Sequence, residues 1–417
     1  MSVANFARRC LPSIVLALLS LSCGGGSSMM NTASNTAPAT PPPGSSSPGT
    51  GSGGGSSPSG GSPSSAATYV YVASSISPSA PVVGFRLDAS APSIAELAGS
   101  PFGKPTTGRG SLVVNRNFVY IAVQNDPITT TILAMRADAS SGGLTEVGET
   151  TFTSFGAALV RDPSGHNLYA ILSGGNIASF IINSDGTLSS AGPPLHLADG
   201  IAAAAMSPNG QTGYAITETQ LSSDPRGPSS LAIVLLHRDP NSGTLSLSRQ
   251  VSSDRAFQLK IDPTGKYLVA VKDDFKHFLV YRINDSTSDL TAVAGSPFMS
   301  AGNLPAPDFT RPFDFSPDGR FVYAVNTNGV NERPASIWVF ALDANSGTLT
   351  QIQTFDLPPG SNYFNVAVEN SLMILIANAN DSRITLIRRD PNTGQLSAGG
   401  NPLGGYRGLQ EIGVMHF

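Results

Sequence analysis

A four-residue phrase that combines a tight turn with the start of a strand recurs along the chain, and it limits the possible folds more than any other feature. It reads Asp185-Gly-Thr-Leu188, Ser242-Gly-Thr-Leu245, Ser346-Gly-Thr-Leu349 and Thr393-Gly-Gln-Leu396. Weaker copies stand at Ser141-Gly-Gly-Leu144, Ser288-Asp-Leu290 and Pro92-Ser-Ile94. The final residues of these copies lie 44 to 59 positions apart, averaging roughly 50, the length of a four-stranded propeller blade. Seven copies predict an all-β chain of seven blades. Such an array closes into a ring, and a ring places recognition at its axis.

Each unit runs in the same order: inner strand, tight turn, Tyr/Val-rich strand, loop, third strand, second turn, short outer strand. Phe313-Asp-Phe315 leads into Ser316-Pro-Asp-Gly319, with proline at its preset φ and glycine where φ must be positive. Phe321–Val325, Ser336–Phe340 and Leu349–Ile352 then carry the β-branched and aromatic content of strands. The first turn repeats as Asp162-Pro-Ser-Gly165, Ser207-Pro-Asn-Gly210 and Asp262-Pro-Thr-Gly265. No stretch sustains helical periodicity. The first unit, opening at Tyr69-Val-Tyr-Val72, lacks an inner strand, while Gln410–Phe417 is a surplus strand after the last outer turn. The C-terminal strand is therefore expected to become the inner strand of blade one, closing the ring and removing its open edges. With a single tryptophan, Trp338, the blades are not of the Trp-Asp type.

Ahead of the repeats lie two segments of different composition. Residues 1–22 have the plan of a secretory signal, with Arg8 and Arg9 before the short apolar run Leu11–Leu21. The run ends at Ser20-Leu21-Ser22-Cys23, which resembles a bacterial lipoprotein signal and makes Cys23 the expected lipidation site. An ordinary cleaved signal is the alternative. Cys10 leaves with the signal, so the mature body has no disulfide and must be held by packing. Apart from Cys23, Met29, Met30, Asn31 and Asn35, residues 23–67 are Gly, Ser, Pro, Thr and Ala with no charge, the composition of a disordered tether spanning on the order of 35–40 Å. The folded body is then 68–417, outside the cytoplasm and joined to a cell membrane, in the periplasm or at the surface, through its lipid alone.

The chain carries a formal net charge of −4 and no basic run interleaved with aromatics, which excludes the nucleic-acid-binding class. The five histidines have no metal-ligand spacing and no cysteine partner, so no metal is expected. Nor does a glycine loop precede a helix to cradle phosphates, and no cofactor is implied. The Asp239-Pro-Asn-Ser-Gly243, Asp343-Ala-Asn-Ser-Gly347 and Asp390-Pro-Asn-Thr-Gly394 stretches lack the closing glutamate of a calcium loop and read as Asx turns.

Phe315-Ser-Pro-Asp-Gly-Arg-Phe-Val-Tyr-Ala-Val-Asn326, Asn345-Ser-Gly-Thr-Leu-Thr350, the exits Ala98-Gly-Ser-Pro-Phe102 and Ala294-Gly-Ser-Pro-Phe298, and Ala377–Ile384 resemble the lactonase family of seven-bladed propellers. That family includes 6-phosphogluconolactonase-like proteins. The resemblance covers Tyr69–Phe417 and implies lactone hydrolysis. It also implies a Gly-Pro-Arg-His phrase before an inner strand and a Glu after the Asn that ends the second strand. This chain has Phe309-Thr-Arg-Pro312 and Asn326-Thr327 in those places, keeping the cation and losing the proton acceptor. No catalytic residue can be assigned.

One constellation remains at the expected mouth of the channel. Arg109, Arg255, Arg311 and Arg407 each precede an inner strand, with Asp199, Asp254 and Asp308 placed similarly. Ring closure brings these points together, so the arginines either bind an anionic ligand or pair with the aspartates to fix loops. The inserts Thr219–Ser230 and Asn326–Pro334 are further contact surfaces or neutral additions. The reading that follows is a monomeric, tethered propeller binding a small anion, a glycan or an envelope protein. A lactonase working through an altered site is the alternative.

Overall fold

The turns and strands read from the repeats assemble into seven antiparallel sheets, and no helix occurs among the described residues. The structure is a computed structural model; it describes residues 67–74, 81–104, 110–126, 128–223, 229–299, 312–326, 335–357, 362–378, 383–400, 402–406 and 408–417. The expected signal, the expected lipidation site Cys23 and the expected tether up to residue 66 lie outside the described residues. Blades two to seven have the inner strands Gly110–Asn115, Ala157–Arg161, Gly200–Met206, Ala256–Ile261, Phe313–Phe315 and Asn362–Val368, each followed outward by its next three strands. Between inner and second strand, Gly165, Gly210, Gly265 and Gly319 take φ of 67° to 78°. Their amides close the turn on Asp162, Ser207, Asp262 and Ser316 at 2.8–2.9 Å.

Blade one is completed as expected. Leu409–His416 pairs antiparallel with Thr68–Ser74, matching Tyr71 to Gly413 and Val72 to Ile412, and Val82–Asp88 and Ser93–Glu96 continue the sheet. Phe417 N also donates to Ala67 O at 3.0 Å. The two ends of the folded body are therefore in one sheet, and the ring has no open edge there.

The core lies between blades. Seven apolar clusters fill the seven junctions. Val269, Phe278, Phe313, Trp338 and Phe340 join blades five and six. Val70, Val72, Phe85, Ile374 and Ile412 join blade seven to blade one. Each sheet is covered on both faces, which is why Phe321–Asn326 is buried along its whole length instead of alternating.

The recurrent phrase takes on a tertiary role here. Tyr71, Tyr120, Tyr169 and Tyr323, all on second strands, donate their phenols to the carbonyls of Gly142, Gly186, Gly243 and Gly394 at 2.7–2.9 Å. Each acceptor belongs to the outer turn of the next blade. Tyr214 reaches Ser288 O at 2.7 Å in the same way, and Tyr267 reaches Ala344 O at 3.3 Å. Burial pushes the Tyr169 phenol up to about 12, with Asp162 acting in the same direction, so it remains a donor at every physiological pH. The junction from blade seven to blade one differs: Ile374 sits where a tyrosine would be. There Tyr406 donates to Glu96 Oε2 at 2.8 Å and packs edge-on against Phe85 at 5.3 Å.

A second feature of this closing junction is a contact between a carboxyl and an imidazole. His416 Nε2 lies 3.1 Å from Glu369 Oε2, and His416 Nδ1 lies 3.2 Å from Thr68 Oγ1. Burial holds the Glu369 carboxyl above its usual range; His416 pulls it part of the way back, and Asp314 pushes it up again. A carboxyl raised on folding favours the folded state fully only below its unfolded pKa of about 4.5, and that contribution is lost as pH climbs through the folded value. Glu369→Gln should therefore melt above the parent at pH 8 and together with it at pH 4. A variant melting below the parent at pH 8 would mean that contact with His416 outweighs burial.

Candidate functional site

Strand direction decides which end of the channel can vary. Inner strands begin, second strands end, third strands begin and outer strands end on one face of the ring, so the variable connections collect at that mouth. The opposite face holds the tight turns. Of the predicted mouth residues, Arg109, Arg311, Arg407 and Asp308 lie outside the described residues, as does most of the insert after Asn326. Arg255 and Asp199 are described, and both are exposed at the mouth.

Arg255 is anchored on one side. Its Nε is 2.6 Å from Asp273 Oδ2, and its Nη1 donates to Ser229 O at 2.6 Å. The expected pairing with the aspartates that precede inner strands does not form at this position. The antiparallel register of blade five sets Ala256 opposite Lys272, which brings Asp273 to the guanidinium. Asp254 instead accepts from Ser252 Oγ at 2.9 Å and from the Tyr281 phenol. Asp199 Oδ2 accepts from the Gln220 amide at 2.8 Å, fixing the root of the blade-four loop. Nη2 of Arg255 makes no hydrogen bond among the described residues.

Around Arg255 the second-to-third-strand turn of blade five builds a polar rim. Lys272 Nζ is 3.1 Å from Asp274 Oδ2 and 3.9 Å from Asp273 Oδ1, and His277 Nδ1 is 2.7 Å from Asp274 Oδ2. Burial pushes Asp274 up, but the Lys276 amide, His277 and Lys272 together outweigh it and bring the carboxyl down to about 2. Next to this rim, the rings of Phe257 and Phe275 stack at 5.3 Å with an interplanar angle of 3°. Phe257 occupies a β-bulge at the head of its inner strand, between Ala256 and Gln258. Phe275 has φ of 56°, a left-handed conformation that costs a bulky side chain about 1–2 kcal/mol.

On the far side of the mouth sits a carboxylate that sequence reading passed over. Glu411, buried on the closing strand, accepts from Ser111 Oγ at 2.9 Å and from the Leu112 amide, while Ser111 Oγ accepts from the Leu159 amide at 2.9 Å. Gln410 Oε1 accepts from the Gly110 amide at 2.5 Å. These bonds tie the inner strands of blades one, two and three near their first residues. The available signal was a lone acid inside an otherwise strand-like segment. Glu218, at the end of the second strand of blade four, is also buried. Toward the turn face, Lys260 and Asp314 of adjacent inner strands pair at 2.6 Å.

The Asx-turn reading holds: Asp239, Asp343 and Asp390 each accept two amides of their own turns through Oδ1. Among the described residues no three His, Cys, Asp or Glu side chains group as metal ligands. An apolar void of about 10 Å³ between blades three and four, lined by Val160, Tyr169, Ala204 and Met206 among others, has room for a water at most and is not a ligand site.

With the geometry established, comparison with known proteins agrees with the architecture. The family model for "Lactonase, 7-bladed beta-propeller" matches residues 313–406, which are blade six and blade seven with its exit. Among solved structures, a candidate 6-phosphogluconolactonase from Bacteroides uniformis is 17% identical with a TM-score of 0.65, covering 84% of this chain and 99% of that one. A second candidate 6-phosphogluconolactonase, from Bacteroides fragilis, is 17% identical with a TM-score of 0.62, covering 86% of this chain and 100% of that one. A periplasmic gluconolactonase from Pseudomonas aeruginosa is 15% identical with a TM-score of 0.65, covering 84% and 99%. At these identities the likeness shows the fold. No curated protein matches the sequence. The resemblance to lactonase-type propellers read from the sequence is borne out.

Proposed function

We propose, starting from a seven-bladed propeller of lactonase type, that this protein is a membrane-tethered binding propeller outside the cytoplasm. Its ligand is a small anion or an anionic group on a glycan or envelope protein, held at the channel mouth. The observation that carries this reading is Arg255: anchored through two of its nitrogens at the variable face of the ring, it makes no hydrogen bond through Nη2 among the described residues. A guanidinium held in place loses little freedom on gripping a carboxylate or phosphate. Arg109, Arg311 and Arg407 stand at the equivalent sequence positions of other blades. Residues 1–22, Cys23 and the charge-free tether support export and lipid anchoring.

Hydrolysis of a lactone is the second reading, supported by the resemblance to a periplasmic gluconolactonase, which shares the proposed compartment. Against it stand Pro312 and Thr327, in the places where the family pattern has a histidine and a glutamate. A fold of this type hosts several activities, so the site must decide. Replacing Arg311 and Arg407 together by Ala is expected to abolish binding of anionic ligands to the purified 68–417 body, and unchanged affinity would end the proposal. Assay of the same body against a panel of lactones is expected to show no turnover. Hydrolysis that disappears in Arg311→Ala would establish the lactonase instead.

A further inference from the structure

We infer that the stacked pair Phe257–Phe275 is a ligand platform, and that with Arg255 it selects acids bearing an aromatic ring. This rests on the proposed anion site at the mouth and specifies its ligand class. Two separate irregularities of the backbone converge on the pair. The β-bulge that heads the inner strands of blades four, five and seven re-aims one residue, and in blade five that residue is Phe257. Phe275 holds a left-handed conformation that blade three gives to Gly174 and Gly175 in its corresponding turn. A strained phenylalanine where glycine would fit without strain points to a use for the ring.

The cation and the platform are linked through the chain and through one ion pair. Arg255 precedes Phe257 by two residues, and Asp273, which it grips at 2.6 Å, precedes Phe275 by two. Both rings are only partly buried, Phe275 packing on the cluster of the five-to-six junction and Phe257 on that of the four-to-five junction. A planar ring laid on the exposed part of the pair gains face-to-face contact that a saturated ring cannot match. A carboxylate on that ring meets Arg255 Nη2.

The test uses 2-naphthoate and decahydro-2-naphthoate, which share charge and carbon skeleton and differ in aromaticity, titrated calorimetrically into the 68–417 body. Naphthoate should bind at least about fivefold tighter than its saturated counterpart. Phe275→Gly should remove that preference while the fold is kept, since glycine accepts the turn's φ and offsets part of the lost packing, and Phe257→Leu should do the same. Arg255→Ala should weaken both acids. Equal affinity for the two acids, or a preference that survives both phenylalanine variants, overturns the platform while leaving the anion site standing. Failure of the parent protein to bind either acid overturns both.

Discussion

Removing Ile412–Phe417 is expected to abolish cooperative unfolding, leaving a body without a single sharp thermal transition. The segment supplies the inner strand of blade one from Ile412 onward, pairing with Val72, Tyr71, Val70, Tyr69 and Thr68. It also contributes Ile412 to the seven-to-one junction and Met415 to the one-to-two junction. Loss of each buried side chain of this size costs about 2–5 kcal/mol, and a folded domain holds only about 5–15 kcal/mol in total. The exposed edge of Thr68–Ser74 adds unpaired backbone groups to that deficit. The damage is not confined to one blade, because two junctions lose their packing and the ring opens between them. A truncated body whose melting curve matches that of the full-length body would show that closure is carried elsewhere.

The second large effect is expected at the outer turns. Gly394 has φ of 73°, and a Cβ there would run into the ring of Phe321 on the preceding blade. Gly347 is pressed against Tyr267 in the same manner. Gly394→Ala should cost about 3–5 kcal/mol, combining left-handed strain with overpacking of a blade junction. Gly405→Ala separates the two contributions, because Gly405 has φ of 97° but no neighbour within 4 Å of its would-be Cβ. That control should lose only about 1–2 kcal/mol. Urea unfolding of both variants measures the difference, which reports the inter-blade contact itself. Equal losses would mean that the turn glycines serve local geometry alone and that the junctions tolerate displacement.

These two cases separate what could be read from the chain and what could not. Pro and Gly at fixed places in Ser316-Pro-Asp-Gly319 specify a turn through their own φ preferences, and the Tyr/Val run after it specifies a strand. Both depend on neighbours within a few residues, so the blade pattern and the surplus terminal strand were legible. The phenol of Tyr323 bonding the carbonyl of Gly394 was not, because the turn and the tyrosine belong to different blades. The candidate site divides along the same line. Arg255 announced itself by standing before an inner strand, yet its partner Asp273 is set by the register of two antiparallel strands. Neither Phe257 nor Phe275 carried any mark in sequence. A phenylalanine in a bulge and one in a turn look like ordinary core residues until the sheet bends them face to face.

The chain's local chemistry settled the number of blades, their turns and the means of closing the ring, because φ preference and apolar patterning act over short stretches. Curvature of the ring settled which side chains meet at the mouth and across the junctions. Those encounters follow from distances between blades that no residue encodes alone.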